Sequence, residues 1–429
     1  MKIYNYSELS AVEIDQLCKR ELNDDEVVAS RVENIISTVK NKGDQALLSY
    51  AAEFDKVVLN ELFIGKEAIA ALAKQIPSSV KSAIDQAYQN IYNFHQVQLK
   101  SEEKIETMPG VVCWREARAI EKVGLYIPGG SAVLPSTFLM LGIPAKIAGC
   151  KEIVVCSPPQ KDGKINCYIA YVATLLGIEK IYLAGGAQAV AAMAFGTASI
   201  PQVYKIFGPG NRYVTAAKKQ LQHVVAIDMP AGPSEVLIIA DETANAAFVA
   251  ADLLAQAEHG ADSQSILVAT SMPMISAVLQ ALETQLPILP RKDIAQKAIE
   301  NSYVVQVNDL TEAMAFSNSY APEHLILATR DFESLIPSIS NAGSVFLGNL
   351  TPESAGDYAS GTNHTLPTSG YAKAFSGVSV DTFLKKITFQ QLTATGLANI
   401  GHTVEILASA EGLQAHKNAI TIRLKELKN

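Results

Sequence analysis

From residue 111 onward, short apolar strands alternate with helical segments, and this repetition most constrains what the chain can fold into. Each predicted strand is apolar along its whole length, which is typical of a parallel sheet covered by helices on both faces. The predicted strands are residues 152–156, 180–183, 203–207, 224–227, 236–240, 265–269, 304–307, 325–328 and 344–347. The sequence therefore predicts an α/β fold.

The strand–helix series occurs twice, before and after about Pro230, which predicts two Rossmann-like units. A strand-like segment at 385–389 is then followed by helical sequence that breaks at Gly412. We expect a helical N-terminal segment, two Rossmann-like parallel-sheet domains and a small tail module. The predicted boundaries are 1–23 for a helical arm, 24–125 plus 235–379 for the first Rossmann-like domain, 126–234 for the second, and 380–429 for the tail.

Composition and charge exclude several classes of protein. The 429 residues are 48% hydrophobic and carry a net charge of −8, so a large core is expected and the basic runs that bind nucleic acid are missing. No apolar stretch reaches the roughly 20 residues of a membrane span, and the N-terminus has no apolar signal region. The five cysteines, an odd number without a Cys-x-x-Cys pattern, favour a reducing cytoplasm. We expect a cytoplasmic protein with neither a nucleic-acid nor a membrane partner.

Three glycine-rich turns each follow a predicted strand and open a helix. They are YIPGG at 126–130, GGAQ at 185–188 and GPGN at 208–211. In a parallel sheet such turns lie at the carboxyl edge, where glycine backbone and helix N-termini can approach a phosphate. None is a G-x-G-x-x-G, and a single such turn is more often only a connection. Three in one half of the chain, two of them with an amide (Gln188 and Asn211), favour a nucleotide site.

Four short polar stretches interrupt apolar surroundings, at residues 256–259, 323–324, 354–358 and 411–416. They hold three of the seven histidines, each beside carboxylates or a glutamine. Imidazole, carboxylate and amide oxygen without sulfur are ligands that a divalent transition metal such as zinc accepts. This pattern predicts a metal-assisted enzyme.

Two of these stretches also have simpler structural explanations. Gln256 and His259 are three residues apart, so both could face one ion from a helix end, although a C-terminal histidine also interacts favourably with a helix dipole. Glu323 and His324 precede the strand at 325–328. They could be a general base and a water activator, or equally a hydrogen-bonded turn.

The other two stretches are equally open. Asp357 lies in a segment rich in glycine, serine and threonine, which predicts either a loop over a site or a surface loop. Glu411 and His416 flank the break at Gly412. Taken one at a time, each residue is more often structural than functional.

Taken together, the motifs resemble those of the histidinol dehydrogenase family, over nearly the whole chain. The resemblance rests on VGLYIPGG (123–130), AGGAQA (184–189), FGPGN (207–211), IDMPAGPSE (227–235), QAEHG (256–260), APEHL (321–325), GTNH (361–364) and EGLQAH (411–416). So many long motifs in the family's order are highly specific, and no functional position departs from the pattern.

This resemblance implies oxidation of L-histidinol to L-histidine with two NAD⁺, through an aldehyde. It implies one zinc per subunit, bound by Gln256, His259, Asp357 and His416. It implies NAD contacts at Tyr126, Gln188 and Asn211. The implied substrate contacts are Ser234, Gln256, His259, His324, Asp357, Glu411 and His416. Glu323 and His324 would be the catalytic acid–base pair, and the implied assembly is a homodimer whose active sites are shared between subunits.

Two other classes of function compete with this interpretation. An aldehyde dehydrogenase with a covalent cysteine also makes acids from aldehydes, but no cysteine has an obvious activating neighbour in the sequence. A metabolite sensor on a two-lobed α/β scaffold would bind a ligand without forming NADH.

Overall fold

A computed structural model describes residues 1–20, 26–129, 133–230 and 232–428 of the chain. Gly130 of the first glycine turn, and residue 24 at the first predicted domain boundary, lie outside the described residues. None of the helices within these ranges combines the length and the apolar character that crossing a membrane requires.

The strands of the described residues form three sheets. In chain order they are β1 (Lys2–Asn5), β2 (Phe63–Gly65), β3 (Ile105–Met108), β4 (Val111–Ala119), β5 (Lys122–Tyr126), β6 (Glu152–Ser157), β7 (Lys180–Leu183), β8 (Lys205–Phe207), β9 (Ala226–Ile227), β10 (Glu235–Ala240), β11 (Gln264–Ala269), β12 (Tyr303–Gln306), β13 (His324–Ala328), β14 (Ser344–Leu347) and β15 (Leu384–Leu392). Helices separate most of these strands, as the alternation in the sequence predicted.

The α-helices follow the same numbering principle. They are α1 (Ala11–Cys18), α2 (Glu26–Lys42), α3 (Asp44–Tyr50), α4 (Lys66–Ala73), α5 (Ser78–Gln96), α6 (Pro135–Ala148), α7 (Cys167–Leu176), α8 (Gly186–Phe195), α9 (Arg212–Leu221), α10 (Ala246–Ala257), α11 (Met272–Gln285), α12 (Lys292–Glu300), α13 (Leu310–Tyr320), α14 (Phe332–Leu335), α15 (Glu353–Tyr358), α16 (Ala394–Ala410) and α17 (Gln414–Glu426).

Two six-stranded sheets dominate the molecule. The first sheet has the order β1-β12-β11-β10-β13-β14 and is parallel throughout. The second sheet has the order β2-β7-β6-β5-β8-β9 and is parallel except for β2, which runs antiparallel to β7. In both, the chain winds outward from a central strand in two directions, as in doubly wound folds. The predicted α/β class with two parallel-sheet units is confirmed.

Apolar clusters cover both faces of each large sheet, which explains why the strands are apolar along their whole length. Alternate residues of β10 supply the two faces of the first sheet: Val236 and Ile238 pack in one cluster, and Leu237 and Ile239 in the other. Two further clusters lie on the faces of the second sheet. Burial of this kind provides the main stabilisation of a parallel sheet.

Sheet membership differs from the predicted division of the chain. The segment 24–125 was expected to join 235–379, but β2 and β5 pair within the second sheet. Helices α2, α4 and α5 pack on α8, α7 and α6, the helices of that same unit. The predicted helical arm begins with strand β1, which pairs with β12 of the first sheet. The local apolar pattern identifies a strand but does not specify its pairing partner.

The tail also shares a sheet with strands β3 and β4, which the sequence did not assign to it. As predicted, a strand (β15) precedes two helices that are separated at Gly412. However, β15 pairs antiparallel with β4, and β4 with β3, so a three-stranded sheet contains residues from both halves of the chain. Helix α16 packs on β3, β15 and α17.

Candidate active site

The predicted acid–base pair lies at the amino edge of the first sheet, in its centre. His324 is the first residue of β13 and Glu323 precedes it, beside Glu235 at the start of the neighbouring strand β10. Glu323 and His324 are only 6% and 2% exposed. The pair is therefore held inside the molecule by two adjacent parallel strands.

The backbone of Glu235 orients both members of the pair. Its N–H donates to Glu323 Oε2 at 2.9 Å, and its carbonyl oxygen lies 3.2 Å from His324 Nδ1. Because a carbonyl can only accept, Nδ1 carries the proton in this contact. His324 Nε2 is then directed at Asp357, with 3.5 Å between Nε2 and Oδ1. In the neutral imidazole, Nε2 is the atom available to take a proton.

A metal-ligand cluster lies next to this pair. Ligand atoms of His259, Glu353 and Asp357 all lie within 4.8 Å of one another among the described residues. His259 follows the end of α10, whereas Glu353 and Asp357 share one face of α15. Gln256 joins from α10, with its Nε2 at 3.4 Å from His259 Nδ1. The geometry thus assembles the predicted His259, Asp357 and Gln256 in one place.

The donor atoms of this cluster fit a bound cation. In the part of the chain that the structure describes, Gln256 Oε1, Glu353 Oε2 and His324 Nε2 are buried without a hydrogen-bond partner. Buried polar atoms normally have a partner, so three such atoms in one cluster indicate a site that a ligand completes. Imidazole, carboxylate and amide oxygen are the donor set that zinc accepts.

The buried carboxylates and His324 have strongly shifted pKa values. Burial raises the pKa of Glu323 to about 8, against the opposing charge of His324, and burial also raises the pKa of Glu353 to about 8. Burial disfavours the imidazolium of His324, but the carboxylates of Glu353, Glu323 and Asp357 outweigh it and hold its pKa well above the usual range. Glu323 is consequently a carboxyl group able to exchange a proton near neutral pH, as a general base requires.

Glu353 is a site residue that the sequence analysis missed. It is 1% exposed, with Oε1 at 3.9 Å from His324 Nδ1. The segment around Asp357 was expected to be a loop, but residues 353–358 form the helix α15. Glu353 lies four residues before Asp357, a spacing that places both carboxylates on one helix face. That spacing is the signal in the sequence that could have identified it.

The three glycine turns follow β5, β7 and β8, all at the carboxyl edge of the second sheet, as predicted. The Tyr126 hydroxyl accepts a hydrogen bond from the N–H of Gly186 at 3.1 Å. Gly208 has φ 127°, and a Cβ there would lie 2.2 Å from the carbonyl oxygen of Tyr126. Only glycine permits this close approach between two of the turns.

The two amides of these turns have different environments. Gln188 is buried on α8, whereas Asn211 is exposed and caps α9. The Asn211 side-chain oxygen accepts from the backbone N–H groups of Tyr213 and Val214. Capping therefore occupies this oxygen, while the turn itself stays open to solvent.

A hydrogen-bonded relay connects the second sheet's unit to the metal-ligand cluster. Thr137, in the first turn of α6, has its hydroxyl 3.1 Å from His364 Nε2. His364 Nδ1 in turn donates to the carbonyl oxygen of Asp357 at 2.8 Å. These hydrogen bonds join α6, in the unit of the second sheet, to the backbone of Asp357 in the metal-ligand cluster.

Of the remaining predicted site residues, Ser234 lies next to Glu235, whereas Glu411 and His416 lie on the tail. Ser234 immediately precedes β10, and its carbonyl oxygen accepts from the N–H of Gln264. Glu411 and His416 are exposed on the tail, at the end of α16 and in α17. Neither belongs to the group of potential ligands found among the described residues.

A buried carboxyl–imidazole pair beside a cluster of potential metal ligands, on two doubly wound sheets with glycine turns at one carboxyl edge, is typical of an α/β enzyme. Comparison with known proteins gives the particular family. A family model for histidinol dehydrogenase matches residues 18–424. The histidinol dehydrogenase of Bacteroides fragilis is 54% identical over 429 residues, covering 100% of both chains.

Two further comparisons agree. The chloroplastic histidinol dehydrogenase of Arabidopsis thaliana is 52% identical, covering 100% of this chain and 92% of its own. The crystal structure of histidinol dehydrogenase from Elizabethkingia anophelis has a TM-score of 0.97 at 52% identity, covering 100% of this chain and 99% of its own. The chain belongs to the histidinol dehydrogenase family, which makes it an NAD-dependent oxidoreductase of histidine biosynthesis.

Proposed function

We propose that the chain oxidises L-histidinol to L-histidine in two successive NAD-linked steps, through L-histidinal, at a site that contains one zinc ion. The observation that carries this proposal is the buried pair Glu323 and His324, adjacent to a cluster of metal ligands with unpartnered donor atoms. Two oxidations in one site need one group for the alcohol proton and another for water, and the pair supplies both.

Gln256, His259 and Asp357 would hold the zinc, and His416 would complete the set from the other subunit of a homodimer. When bound, zinc would supply coordination positions for the imidazole and the amine of histidinol, and so fix the substrate. His259 is suited to this role because loss of solvation lowers its pKa, against the attraction of Asp357, and so favours the neutral imidazole that a metal binds.

The chain's own groups would move the protons. With zinc bound, the carboxylates that raise the pKa of His324 would be offset, so the imidazole would be neutral and its unpartnered Nε2, close to Asp357, would take the hydroxyl proton in the alcohol oxidation. Glu323, oriented by the Glu235 N–H, would then remove a proton from the water that adds to the aldehyde, while His324 would return its proton to the aldehyde oxygen. The resulting gem-diol would lose a hydride to the second NAD⁺ and a hydroxyl proton to His324, which gives the acid. Burial of the pair keeps bulk water away from the aldehyde until this step.

NAD would bind along the glycine turns, with contacts at Tyr126, Gln188 and Asn211, and would accept the hydride in each oxidation. Support comes from the position of the turns at the carboxyl edge of a doubly wound sheet. The proposed substrate contacts are Ser234, Gln256, His259, His324, Asp357, Glu411 and His416.

A homodimer would explain the exposed positions of Glu411 and His416. Helix α17 has no buried residue in the single chain, and large apolar side chains in and beside the two tail helices are exposed: Ile406, Leu407, Leu413, Ile422 and Leu427. Large exposed apolar patches mark interaction sites. We further propose a cytoplasmic location, which the five free cysteines suit.

The decisive experiment follows NADH absorbance when the protein is mixed with histidinol and NAD⁺, with and without a chelator. We expect two NADH per histidinol, loss of the signal with chelator, and recovery with added zinc. NADH formation that persists after complete metal removal would contradict the metal-assisted mechanism. Ligand binding without any NADH would instead favour a sensor.

A matched variant tests the ligand assignment. In His259→Ala one of few direct ligands is lost, so we expect sub-stoichiometric zinc by elemental analysis together with abolished turnover. His402→Ala is the control, because His402 is exposed on α16 and lies outside the proposed site. Stoichiometric zinc and normal turnover in His259→Ala would show that the ligand set is wrong.

A further inference from the structure

The side chain of Glu235 forms hydrogen bonds with three separate segments of the chain, next to the catalytic pair. It is fully buried, and its carboxylate accepts from Arg20 Nη1 at 2.8 Å, from the Ser369 N–H at 2.9 Å and from the Tyr320 hydroxyl at 3.3 Å. Arg20 belongs to the N-terminal arm, Tyr320 ends α13, and Ser369 lies in the loop before β15. Each of these segments is remote from Glu235 in sequence.

The backbone of the same residue holds the catalytic pair. The N–H of Glu235 donates to Glu323, and its carbonyl accepts from His324. The main chain of Glu235 thus orients Glu323 and His324, while its side chain is held by Arg20, Tyr320 and Ser369. A displacement of Glu235 would move both catalytic groups at once.

Arg20 is the cation of this arrangement. Its side chain is 10% exposed, and Nη2 donates to the carbonyl oxygen of Asp262 at 2.7 Å while Nη1 pairs with Glu235. The guanidinium therefore joins the start of β10 to the connection that precedes β11. Such a planar fork of donors fixes two partners at once, which a single ammonium cannot do.

Attachment of the N-terminal arm does not by itself explain why the Arg20–Glu235 ion pair is buried. Strand β1 pairs with β12, and the Tyr303 hydroxyl donates to the carbonyl oxygen of Leu17 at 2.8 Å, so the arm has two other attachments. A buried ion pair is also a poor source of stability compared with apolar packing, because both charges lose their hydration. An ion pair in this place is better explained by the geometry that it imposes.

We propose that Arg20 is a positioning residue for the acid–base pair: its ion pair with Glu235 fixes the main-chain groups that orient Glu323 and His324. This inference rests on the proposed roles of Glu323 and His324. Within the described part of the chain, Arg20 has no hydrogen bond to either of them. Its ion pair is with Glu235, and its longer contacts at 3.4 and 3.5 Å reach the carbonyl oxygens of Pro233 and Ser234 in the same segment.

The test compares steady-state kinetics and metal content of Arg20→Met and Arg20→Lys with the wild type, using histidinol and NAD⁺. Small displacements of catalytic groups cost up to about 100-fold in rate, so we expect kcat of Arg20→Met to fall by about 10- to 100-fold. The zinc content should stay near wild type, because the proposed zinc ligands lie on other elements. The KM for histidinol should change less than kcat, because Ser234 is the one proposed substrate contact that Arg20 reaches. Arg20→Lys should recover part of kcat, since it restores the charge but not the fork.

Tyr303→Phe is the matched control, because it removes an attachment of the same arm without touching Glu235. We expect it to lower the Tm and leave kcat unchanged. If Arg20→Met does not fold, Glu235→Gln decides the question, since it keeps the shape and removes the ion pair; its kcat should also fall by about tenfold or more. Wild-type kcat in a folded Arg20→Met or Glu235→Gln, or an equal loss in Tyr303→Phe, would overturn the inference.

Glu323→Gln separates this inference from the proposed function. A fully active Glu323→Gln would refute the catalytic role of the pair itself. An inactive Glu323→Gln together with a fully active Arg20→Met would refute only the role of Arg20.

Discussion

Glu323 and His324 are neighbours in sequence, and the differences between their environments suit the different roles proposed for them. Glu323 faces the Glu235 N–H, and His324 turns Nδ1 to the Glu235 carbonyl and Nε2 to Asp357. Burial raises the pKa of the Glu323 carboxyl group. Burial opposes the charged form of His324, but three nearby carboxylates raise the pKa of its imidazole above the usual range. Two titratable groups in one buried site can thereby divide the proton transfers of two oxidations between them.

The two roles can be separated by substitution. Glu323→Gln keeps the shape of the side chain but cannot act as a base toward water, so oxidation of supplied histidinal should fall by about 10²–10⁴-fold. Oxidation of histidinol to the aldehyde should fall much less, because His324 serves that step. Single-turnover measurement of NADH with each substrate checks this, with His324→Ala as the variant that should slow the alcohol step. Equal losses of rate for both substrates in Glu323→Gln would show that Glu323 does not activate the water.

The raised pKa of Glu323 also predicts how stability depends on pH. The pKa is about 8 in the folded protein against 4.5 for an unperturbed glutamate, so the folded state binds more protons between these values. The contribution of Glu323 to stability is therefore present below about pH 4.5 and is lost as the pH rises through about 8. In metal-free protein, the free energy of unfolding of Glu323→Gln should decline less between pH 5 and 8 than that of wild type, by up to a few kcal/mol.

Denaturant titrations at several pH values measure this difference. Glu102→Gln is the control, because hydrogen bonds from Arg115 and Lys386 lower the pKa of Glu102 to about 2, and it stays ionised across the same interval. Its curve should run parallel to that of wild type. A Glu323→Gln curve that is also parallel to wild type would show that Glu323 is not protonated in the folded state.

At the scale of elements, the sequence predicted most strands of the two large sheets because each is a short apolar run between turn residues. It did not predict that β2 and β5 share the second sheet, or that β15 pairs with β4, because pairing partners are set by contacts between distant segments. Glu353 was missed because the segment was interpreted as a loop, so its helical spacing from Asp357 was not considered. Glu323 and His324 could be singled out from the sequence because a titratable pair stands at the start of a predicted apolar strand.

The positions of the cysteines within these elements predict that none of them is a nucleophile. Cys156 is fully buried in β6, and this burial raises the pKa of its thiol. Burial also raises the pKa of Cys150 to about 11. A thiol of this kind is protonated and unreactive at neutral pH. Replacing Cys113, Cys150 and Cys156 together with alanine should leave kcat for histidinol largely unchanged, with a modest loss of Tm from core repacking.

Kinetics and zinc content of the purified triple variant check this prediction. The individual substitutions serve as controls for the loss of stability. A folded, zinc-loaded triple variant without activity would revive a covalent thioester mechanism.

At the scale of the whole molecule, the tail raises the question of how its polar residues reach the active site. Helices α16 and α17 pack on each other, and α16 packs on the small sheet. Glu411 and His416 face solvent together with apolar side chains such as Leu407 and Ile422. A short helical module with so little buried surface is marginal alone and gains stability when it packs on another surface. A second copy of the chain would provide that surface and would receive the two polar residues.

A shared site of this kind makes a specific prediction for mixed dimers. His416→Ala and His259→Ala chains should each be inactive alone and regain activity when mixed and allowed to re-associate. In a mixed dimer one site collects both defects and the other collects neither, so each mixed dimer should have about half of wild-type activity, since only one of its two shared sites is intact. Native mass spectrometry counts the mixed dimers, and NADH formation measures their activity. His402→Ala mixed with His259→Ala is the control for re-association, because each mixed dimer then keeps one intact site whether or not sites are shared. Mixed dimers of the test pair that form but stay inactive would show that His416 acts within its own chain.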